Sequence, residues 1–456
     1  MFVNRQKELG ILNSEYALDQ FTSTILYGRR RVGKTALLRE FMKDKPSLYF
    51  LASLENISIL LKRFQGIFAD YFDDEILREI RFENFTQLFR YISSKSFDKK
   101  LVIAIDEFQY LAKQDPSIPS QFQYICDEFL ENKNIHLIFC GSIISMMHDQ
   151  TLSYNSPLYG RRTSSIKLEA IKFEHIHEFF PNKSQIELIE LYSVLHGVPK
   201  YLNMFKEKAD IFKGIEENIL EVNSFLYNEP QFILQGEVSE QITYFSILEN
   251  IASGAHKLSH IASRLEKTTQ AISPYINKLI ELDLVYKDVP ITEKNPLKSR
   301  KSLYFIKDNF FRFWFCYVLP YKTWLEMENK HYVTKIIKQN FSSYISFVYE
   351  NLAIEYVKKN SKVLKCGRWW DKDHEIDLVG ITQNSLIVGE CKYSNKKVGL
   401  DILESLKQKA RFIKSDLPIE KYYLFSKSGF TKDLLELEDE NIILVYDLIS
   451  TPYGTD

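Results

Sequence analysis

Apolar runs alternate with amphipathic segments over the first 150 residues, and this pattern predicts an α/β fold. The runs have the length of strands, and the segments between them repeat apolar residues at helical spacing. Two of the runs, 101–105 and 135–141, are almost continuously apolar, which is typical of strands buried on both faces of a parallel sheet. The other predicted strands are 23–27 and 47–52, and the predicted helices include 8–16, 57–71 and 85–94.

The middle of the chain is predicted to be mostly helical. Two longer helical patterns are followed by three shorter ones, and then by two apolar runs around a basic loop, 293–301. Three helices and a two-stranded wing are typical of a winged helix, a helix-turn-helix variant. Such a module either binds DNA, here through the polar face 268–278, or serves as a structural linker. The predicted helices are 187–201, 206–225, 242–252, 258–263 and 268–282.

The last third returns to a mixed pattern. A helix is predicted at 340–357, then two strands, 375–380 and 386–393, joined by a tight turn, and then a helix at 403–412. The aromatic run Phe310 to Pro320 is too short for a membrane span and is interrupted by Arg312, so we expect it to be buried core.

The first predicted strand leads directly into a phosphate-binding loop of the form G-x-x-x-x-G-K-T. Glycines allow successive backbone N–H groups to point at phosphate oxygens, and the following helix turns its positive end toward the anion. Lys34 is predicted to contact the β- and γ-phosphates, and Thr35 to offer its hydroxyl to Mg²⁺. The predicted nucleotide-binding residues of the loop are Gly28, Arg29, Arg30, Arg31, Val32, Gly33, Lys34, Thr35 and Ala36.

Polar residues follow the two most apolar strands. Asp106 is predicted to hold Mg²⁺, and Glu107 to orient and deprotonate the attacking water. The alternative is a core strand followed by an acidic turn. Ser142 either reads the γ-phosphate or caps a helix that begins near Ile143.

Paired arginines in a turn-like segment add a candidate catalytic residue. Arg161 is predicted to neutralise transition-state charge as an arginine finger, in its own chain or in a neighbouring copy. The alternative is a basic surface turn.

Two acids and a lysine on the C-terminal strands suggest a second chemistry. Asp377 and Glu390 are predicted Mg²⁺ ligands, and Glu350 on the preceding helix is predicted to complete the shell. Lys392 shares a strand face with Glu390 and is predicted to place the water and neutralise the phosphate. The predicted catalytic residues of the chain are thus Glu107, Arg161, Asp377, Glu390 and Lys392.

These motifs resemble known families. The loop, the start 2–9, the run 105–111 and Pro157 to Arg162 look like the archaeal-type ATPases of the AAA-related signal-transduction branch of P-loop NTPases. The resemblance implies ATP as cofactor and implicates Pro199, in the run 196–202, in linking a helical lid to nucleotide. The segment 340–450 resembles the PD-(D/E)xK nucleases, although Ile376 stands where that motif has proline.

Together these patterns predict five parts. They are an ATPase core at 1–165, a helical lid at 166–235, a winged helix at 236–310, a connector at 311–339 and a nuclease-like α/β domain at 340–456. The function expected is an ATPase whose nucleotide state controls a Mg²⁺-dependent DNA endonuclease. The alternative is a nucleotide-dependent switch, a DNA-binding scaffold or a transcription regulator with an inert nuclease fold.

Composition excludes few classes of function or cellular location. The formal net charge is -1, so contact with DNA depends on a local patch. The five cysteines are scattered, which disfavours structural zinc and suits a reducing cytoplasm. We expect no membrane partner. The resemblance implies either a homo-oligomer, since AAA-related modules often assemble into rings, or a chain that stays monomeric until it is activated.

Overall fold

The computed structural model describes residues 2–208 and 210–449, which form two units. The first unit contains the chain up to Ile171 together with Val198–Lys200 and Ile233–Val238. The second contains Lys172–Gly197, Tyr201–Phe232 and the chain from Ser239 onward. Among the described residues, no helix combines the length and the apolar composition that crossing a membrane requires.

The first unit is built on a five-stranded parallel sheet in the order β2-β3-β4-β1-β5. Every residue of β3 and β4 is buried, which confirms the strands expected from their apolar runs. The strands are β1 (Thr22–Tyr27), β2 (Ser47–Leu51), β3 (Leu101–Asp106), β4 (Ile135–Gly141) and β5 (Ser164–Lys167). Because all five strands are parallel, the residues that follow β1, β3 and β4 meet at one edge of the sheet.

Helices surround this sheet. They are α1 (Gln6–Ala17), α2 (Lys34–Met42), α3 (Ile57–Phe72), α4 (Glu75–Glu79), α5 (Phe85–Ser93), α6 (Gln109–Gln114), α7 (Ile118–Ile125) and α8 (Ile144–Met147). One face of the sheet carries a core rich in phenylalanine, in which Phe64 contacts Phe50, Phe68, Phe85 and Phe89. Aromatic clusters of this kind bury much apolar area and pack in edge-to-face pairs.

The helices predicted between residues 187 and 225 differ from the observed ones. The expected helix 187–201 is two helices, α9 (Gln185–Leu195) and α10 (Pro199–Phe205), because Pro199 has no N–H to continue the ladder and His196 adopts a φ of 54°. The expected helix 206–225 is the short α11 (Ile211–Ile215), extended to Leu220 by a wider turn. After it comes α12 (Glu229–Glu237).

Residues 241–306 form three helices and a two-stranded antiparallel sheet. The helices are α13 (Gln241–Ala252), α14 (Leu258–Arg264) and α15 (Thr269–Glu281), and the strands are β6 (Val285–Asp288) and β7 (Leu303–Ile306). These are the elements expected from the sequence, while the identity of this segment as a winged helix stays a prediction.

The expected connector is largely helical. It contains α16 (Asn309–Tyr317), whose aromatic residues are buried as predicted, and α17 (Lys322–Glu326). The next helix, α18, runs over Lys330–Asn360, so the boundary expected at residue 340 falls inside a continuous helix of 31 residues.

A second five-stranded sheet follows, in the order β12-β11-β10-β9-β8. Neighbours β8, β9 and β10 are antiparallel, while β10, β11 and β12 are parallel. The strands are β8 (Lys365–Trp370), β9 (Glu375–Ile381), β10 (Leu386–Lys392), β11 (Ile419–Ser426) and β12 (Ile442–Val445). The helices that accompany them are α19 (Leu400–Ala410) and α20 (Lys432–Leu435).

Candidate functional site

The phosphate-binding loop joins β1 to α2, as its sequence predicts. Gly28 has a φ of 156°, and a Cβ there would collide with the backbone carbonyl of Leu168. Gly33 has a φ of 102°, which glycine adopts without strain. Both glycines are therefore required by the path of the loop, and α2 begins immediately after it at Lys34.

Lys34 is buried against the loop that it follows. Its Nζ donates hydrogen bonds to the carbonyl oxygens of Gly28 at 2.7 Å and Arg29 at 2.9 Å. Burial lowers the pKa of Lys34, although the acids Glu107 and Asp106 oppose this effect. The ammonium thus lies within the loop.

Asp106 ends β3 beside the first turn of α2. Its Oδ2 accepts hydrogen bonds from Thr35 Oγ1 at 3.0 Å and from Tyr49 Oη at 2.7 Å, and its Oδ1 accepts one from the backbone N–H of Glu107. Burial and the contact with Asp106 raise the pKa of Tyr49, which keeps its phenol protonated as a donor. Sequence reasoning missed Tyr49, because only the pairing of β2 with β3 brings it to Asp106.

Glu107 adopts a φ of 56°, and its carboxylate is held from two sides. Ser142 Oγ donates to Glu107 Oε2 at 2.7 Å, and Gln109 Nε2 donates to the same oxygen. Ser142 does not cap the helix that follows it, since the cap position is Ile143 and Glu237 accepts from the first N–H groups of α8. Of the two roles left open for Ser142, the helix cap is therefore wrong.

Arginines brace the loop in ways that the sequence did not reveal. A buried Arg5 donates to the carbonyl oxygens of Val32 at 2.9 Å and Glu169 at 2.8 Å, so it ties the loop to the segment after β5. Arg30 donates to Tyr110 Oη at 2.8 Å. Of the three consecutive arginines 29–31, Arg30 thus already makes a contact within the first unit.

The hydrogen-bond partner of Arg161 is Asp127, which is not one of the side chains described above. Its guanidinium makes a two-pronged ion pair with Asp127, at 3.0 Å from Nε and 2.8 Å from Nη2. About a third of the side chain is exposed. Pro199, the other predicted contributor from outside the loop, is the first residue of α10 and belongs to the first unit.

The predicted C-terminal acids lie across two neighbouring strands. Leu378 pairs with Gly389, so Asp377 on β9 faces Glu390 on β10, and the N–H of Cys391 donates to Asp377 Oδ2 at 2.8 Å. Burial, followed by the charges of Glu390 and Glu350, raises the pKa of Asp377 to about 7. The structure therefore brings Asp377 and Glu390 together, as predicted.

Two lysines neutralise Glu390. Lys392 Nζ lies 2.8 Å from Glu390 Oε1, and Lys409 Nζ, from α19, lies 3.1 Å from the same oxygen. Burial is the largest single effect on Lys392 and opposes its protonation, but the hydrogen bond to Glu390 and the negative charges of Glu390 and Asp377 together raise the pKa of Lys392. Sequence reasoning named Lys392 and missed Lys409, which is 19 residues from Glu390 in the chain.

Glu350 is paired with a cation instead of completing an acidic cluster. Arg368 donates to Glu350 Oε2 at 3.1 Å, lies 3.6 Å from Asp288 Oδ2 and stacks over the ring of Phe347. Arg368 is only 4% exposed, and burial raises the pKa of Glu350. Within the described parts of the chain, no three His, Cys, Asp or Glu side chains form a group that could hold a metal ion.

Comparisons with known proteins agree with this geometry. Residues 2–205 match a family described as an ATPase domain predominantly from Archaea, and residues 314–408 match archaeal and bacterial proteins of unknown function. A solved structure, the Walker-type ATPase of Pyrococcus abyssi, is 21% identical in sequence and superimposes with a TM-score of 0.50. The matched region covers 68% of this chain and 94% of that chain. This likeness shows the P-loop fold.

Two proteins of Methanocaldococcus jannaschii are also similar. An uncharacterized ATP-binding protein is 49% identical over 45 residues, which is 10% of this chain and 76% of that protein. An uncharacterized protein is 36% identical over 459 residues, which is 98% of this chain and 99% of that protein. The chain therefore belongs to the family of this second protein, and it carries an archaeal-type P-loop ATPase domain followed by a second domain of a family of unknown function.

Proposed function

We propose that the first unit binds ATP with Mg²⁺ and hydrolyses it at the edge where β1, β3 and β4 end. The observation that carries the proposal is the contact between Thr35 Oγ1 and Asp106 Oδ2, 3.0 Å apart. A hydroxyl and a carboxylate are hard oxygen ligands of the kind that Mg²⁺ takes in P-loop enzymes, so these residues fit the ion. When bound, Mg²⁺ neutralises charge on the phosphates.

The side chains then divide the work. Residues 28–36 wrap the phosphates, with Lys34 turning from the carbonyl oxygens of Gly28 and Arg29 to the anion. Glu107 accepts a proton from the attacking water, and Ser142 sets the orientation of its carboxylate. Two residues act from outside the loop: Pro199 links the helical lid to the nucleotide, and Arg161 neutralises transition-state charge. For Arg161 to act as a finger, in its own chain or in a neighbouring copy, it must first leave Asp127.

Hydrolysis of ATP by the purified chain, with Mg²⁺ and with EDTA, tests this proposal. We expect Mg²⁺-dependent turnover that falls by about 100-fold or more in Glu107→Gln, while ATP still binds. Glu128→Gln, an exposed glutamate of the same unit, serves as the matched control and leaves the rate unchanged. A Glu107→Gln variant with the rate of the unsubstituted chain would contradict the role given to Glu107.

For the second domain we propose a Mg²⁺-dependent phosphodiesterase that acts on DNA. The favouring observation is the pair Asp377 and Glu390 on adjacent strands, with Lys392 in contact with Glu390. The order α18, three antiparallel strands, α19 and a parallel strand is consistent with the nuclease fold that the sequence resembles. Asp377 and Glu390 would hold the ion and Lys392 would neutralise the scissile phosphate.

The donor set limits this second proposal. The two carboxylates of Asp377 and Glu390 fit Mg²⁺, but Glu390 would have to exchange its contact with Lys409 or Lys392 for the ion. Glu350 would become a third ligand only if it left Arg368. We therefore assign Asp377 and Glu390 as the ligands and Glu350 as the partner of Arg368.

A basic tip supports contact with DNA. The loop between β6 and β7 exposes four cations, Lys294, Lys298, Arg300 and Lys301. The exposed face of α15, by contrast, offers polar Gln270 and Asn277. Cations at the tip would contact phosphates without regard to sequence, and the helix would add polar contacts.

Incubation with linear, branched and single-stranded DNA, with Mg²⁺ and with or without ATP, tests the second activity. We expect cleavage that is lost in Asp377→Ala and in Lys392→Ala, whereas both variants hydrolyse ATP normally. Asp373→Ala, an exposed acid just before β9, is the control and keeps cleavage. Cleavage that survives Asp377→Ala would overturn the site, and binding without cleavage in any DNA would identify the domain as an inert nuclease fold.

A further inference from the structure

The last turn of α12 holds the short helix that follows β4. Glu237 Oε1 accepts a hydrogen bond from the N–H of Ile144 at 3.0 Å. Its Oε2 accepts from the N–H of Ser145 at 3.3 Å and from Ser145 Oγ at 3.0 Å. The first N–H groups of a helix have no partner within it, so one carboxylate here satisfies two of them and a buried hydroxyl.

This short helix is packed closely against the catalytic edge. Ser142 precedes α8 by two residues and donates to Glu107 Oε2 at 2.7 Å. Gly141 has no room for a Cβ, because the side chains of Met147 and Gln109 occupy that space. Gln109 also donates to Glu107. Because α8 is closely packed against these residues, a shift of α8 would also move Ser142 and Gln109, the two groups that orient the Glu107 carboxylate.

From these contacts we propose that Glu237 is a positioning residue for ATP hydrolysis, which acts on Glu107 through α8 and Ser142. The inference rests on the proposed role of Glu107 as the group that activates water. Glu237 lies 130 residues after Glu107 and belongs to no recognised nucleotide motif, so only the folded chain shows the connection.

Steady-state hydrolysis and ATP binding by Glu237→Gln test the proposal. The substitution replaces one accepting oxygen by an NH₂ group, which cannot accept from both backbone N–H groups and Ser145 Oγ. We expect kcat to fall about tenfold or more, while the Kd for ATP stays within about twofold, because a small misplacement near the reacting atoms lowers kcat and leaves phosphate binding intact. Ser145→Ala removes only one of the contacts and should give a smaller decrease in the same direction.

A double-mutant cycle distinguishes positioning from a general effect on the fold. If Glu237 acts largely through Ser142, then Glu237→Gln lowers kcat by a smaller factor in a Ser142→Ala background than in the unsubstituted chain. Multiplicative losses in the double variant, or an unchanged kcat in Glu237→Gln, would overturn the proposal, as would an equal loss of ATP binding. Glu128→Gln is the matched control.

The two proposals fail in different ways. If Glu107→Gln leaves hydrolysis unchanged, the role of Glu107 and the role of Glu237 both fall. If Glu107→Gln abolishes hydrolysis and Glu237→Gln does not affect it, only the role of Glu237 falls.

Discussion

Thr35 and Asp106 are 71 residues apart in the chain, yet the hydroxyl of Thr35 donates to the carboxylate of Asp106 at 3.0 Å. One residue lies in the first turn of α2 and the other ends β3. The parallel sheet brings them together because strand ends that carry ligands share one edge. The fold itself therefore brings together these two residues of the proposed nucleotide site.

Lys34→Ala tests the loop itself. Removal of the ammonium leaves the β- and γ-phosphates without their point charge, so we expect turnover to fall by about 100-fold or more and ATP binding to weaken. Equilibrium binding of a fluorescent ATP analogue and the rate of phosphate release measure the two effects. Lys43→Ala, an exposed lysine at the other end of α2, should change neither. Normal turnover in Lys34→Ala would exclude the loop as the nucleotide site.

Tyr49→Phe tests the support behind Asp106. The substitution removes the hydrogen bond of 2.7 Å that orients the carboxylate toward Thr35. Mutation of a residue that hydrogen-bonds to a metal ligand typically lowers metal affinity by about 10- to 100-fold. We therefore expect the Mg²⁺ concentration that gives half-maximal hydrolysis to rise about tenfold. A Mg²⁺ titration of the hydrolysis rate measures this, with Tyr71→Phe, an exposed tyrosine, for comparison. An unchanged titration curve would show that Tyr49 does not support the ion site.

His136 makes the stability of the protein depend on pH. Burial in β4 lowers the pKa of His136 to about 3, and Thr24 Oγ1 lies 2.9 Å from its Nε2. Below the ordinary pKa of 6.5, the unfolded chain binds a proton that the folded chain does not, so the free energy of unfolding falls as pH decreases from about 7 toward 3. At pH 5 the loss from this group is about 2 kcal/mol.

Urea unfolding at pH 5, 6 and 7 measures this dependence. His136→Asn removes the titrating group, so its free energy of unfolding should change less with pH than that of the unsubstituted chain. The slope, and not the absolute stability, is compared, because Asn also changes the packing against Phe41. His148→Asn, at an exposed histidine, should keep the original slope. Parallel slopes for the unsubstituted chain and His136→Asn would contradict the prediction.

Arg368→Met tests the buried ion cluster of the second unit. The substitution leaves the partly buried carboxylates of Glu350 and Asp288 without their common cation. Removal of one partner from a buried pair costs about 3–5 kcal/mol, because the remaining charge is uncompensated. We expect a loss of that size by urea unfolding, of which Arg368→Met combined with Glu350→Leu regains a part. Arg411→Met, at an exposed arginine, should cost little. A loss below about 1 kcal/mol in Arg368→Met would show that the cluster does not stabilise the unit.

Much of the first unit was predictable from its residues. The loop 28–35 is contiguous, so its motif is readable without tertiary information, and the buried strands β3 and β4 show as apolar runs. The helix break before Pro199 was missed, because the apolar spacing of 187–201 continues through it while the backbone does not. The predicted start at residue 340 is also too late, since the buried residues Val333, Ile337 and Phe341 continue the apolar face of α18 back toward Lys330.

In the C-terminal sheet, Asp377 and Glu390 were predictable because a tight turn joins β9 to β10 and a strand alternates its faces. The partner of Glu350 was not. Arg368 reaches Glu350 from a strand 18 residues away, and no local pattern distinguishes an acid that meets an arginine from one that meets an ion.

The phosphate loop, the acids that follow the buried strands and the order of most elements could be predicted from the residues alone, since each depends on neighbouring residues and on the period of apolar positions. The distant side chains that hold those groups became known only from the fold, namely Arg5 on the loop, Tyr49 on Asp106, Lys409 on Glu390 and Glu237 on α8. A hydrogen bond between residues far apart in the chain depends on strand order and helix packing, and neither is encoded by the residues adjacent to its donor or acceptor.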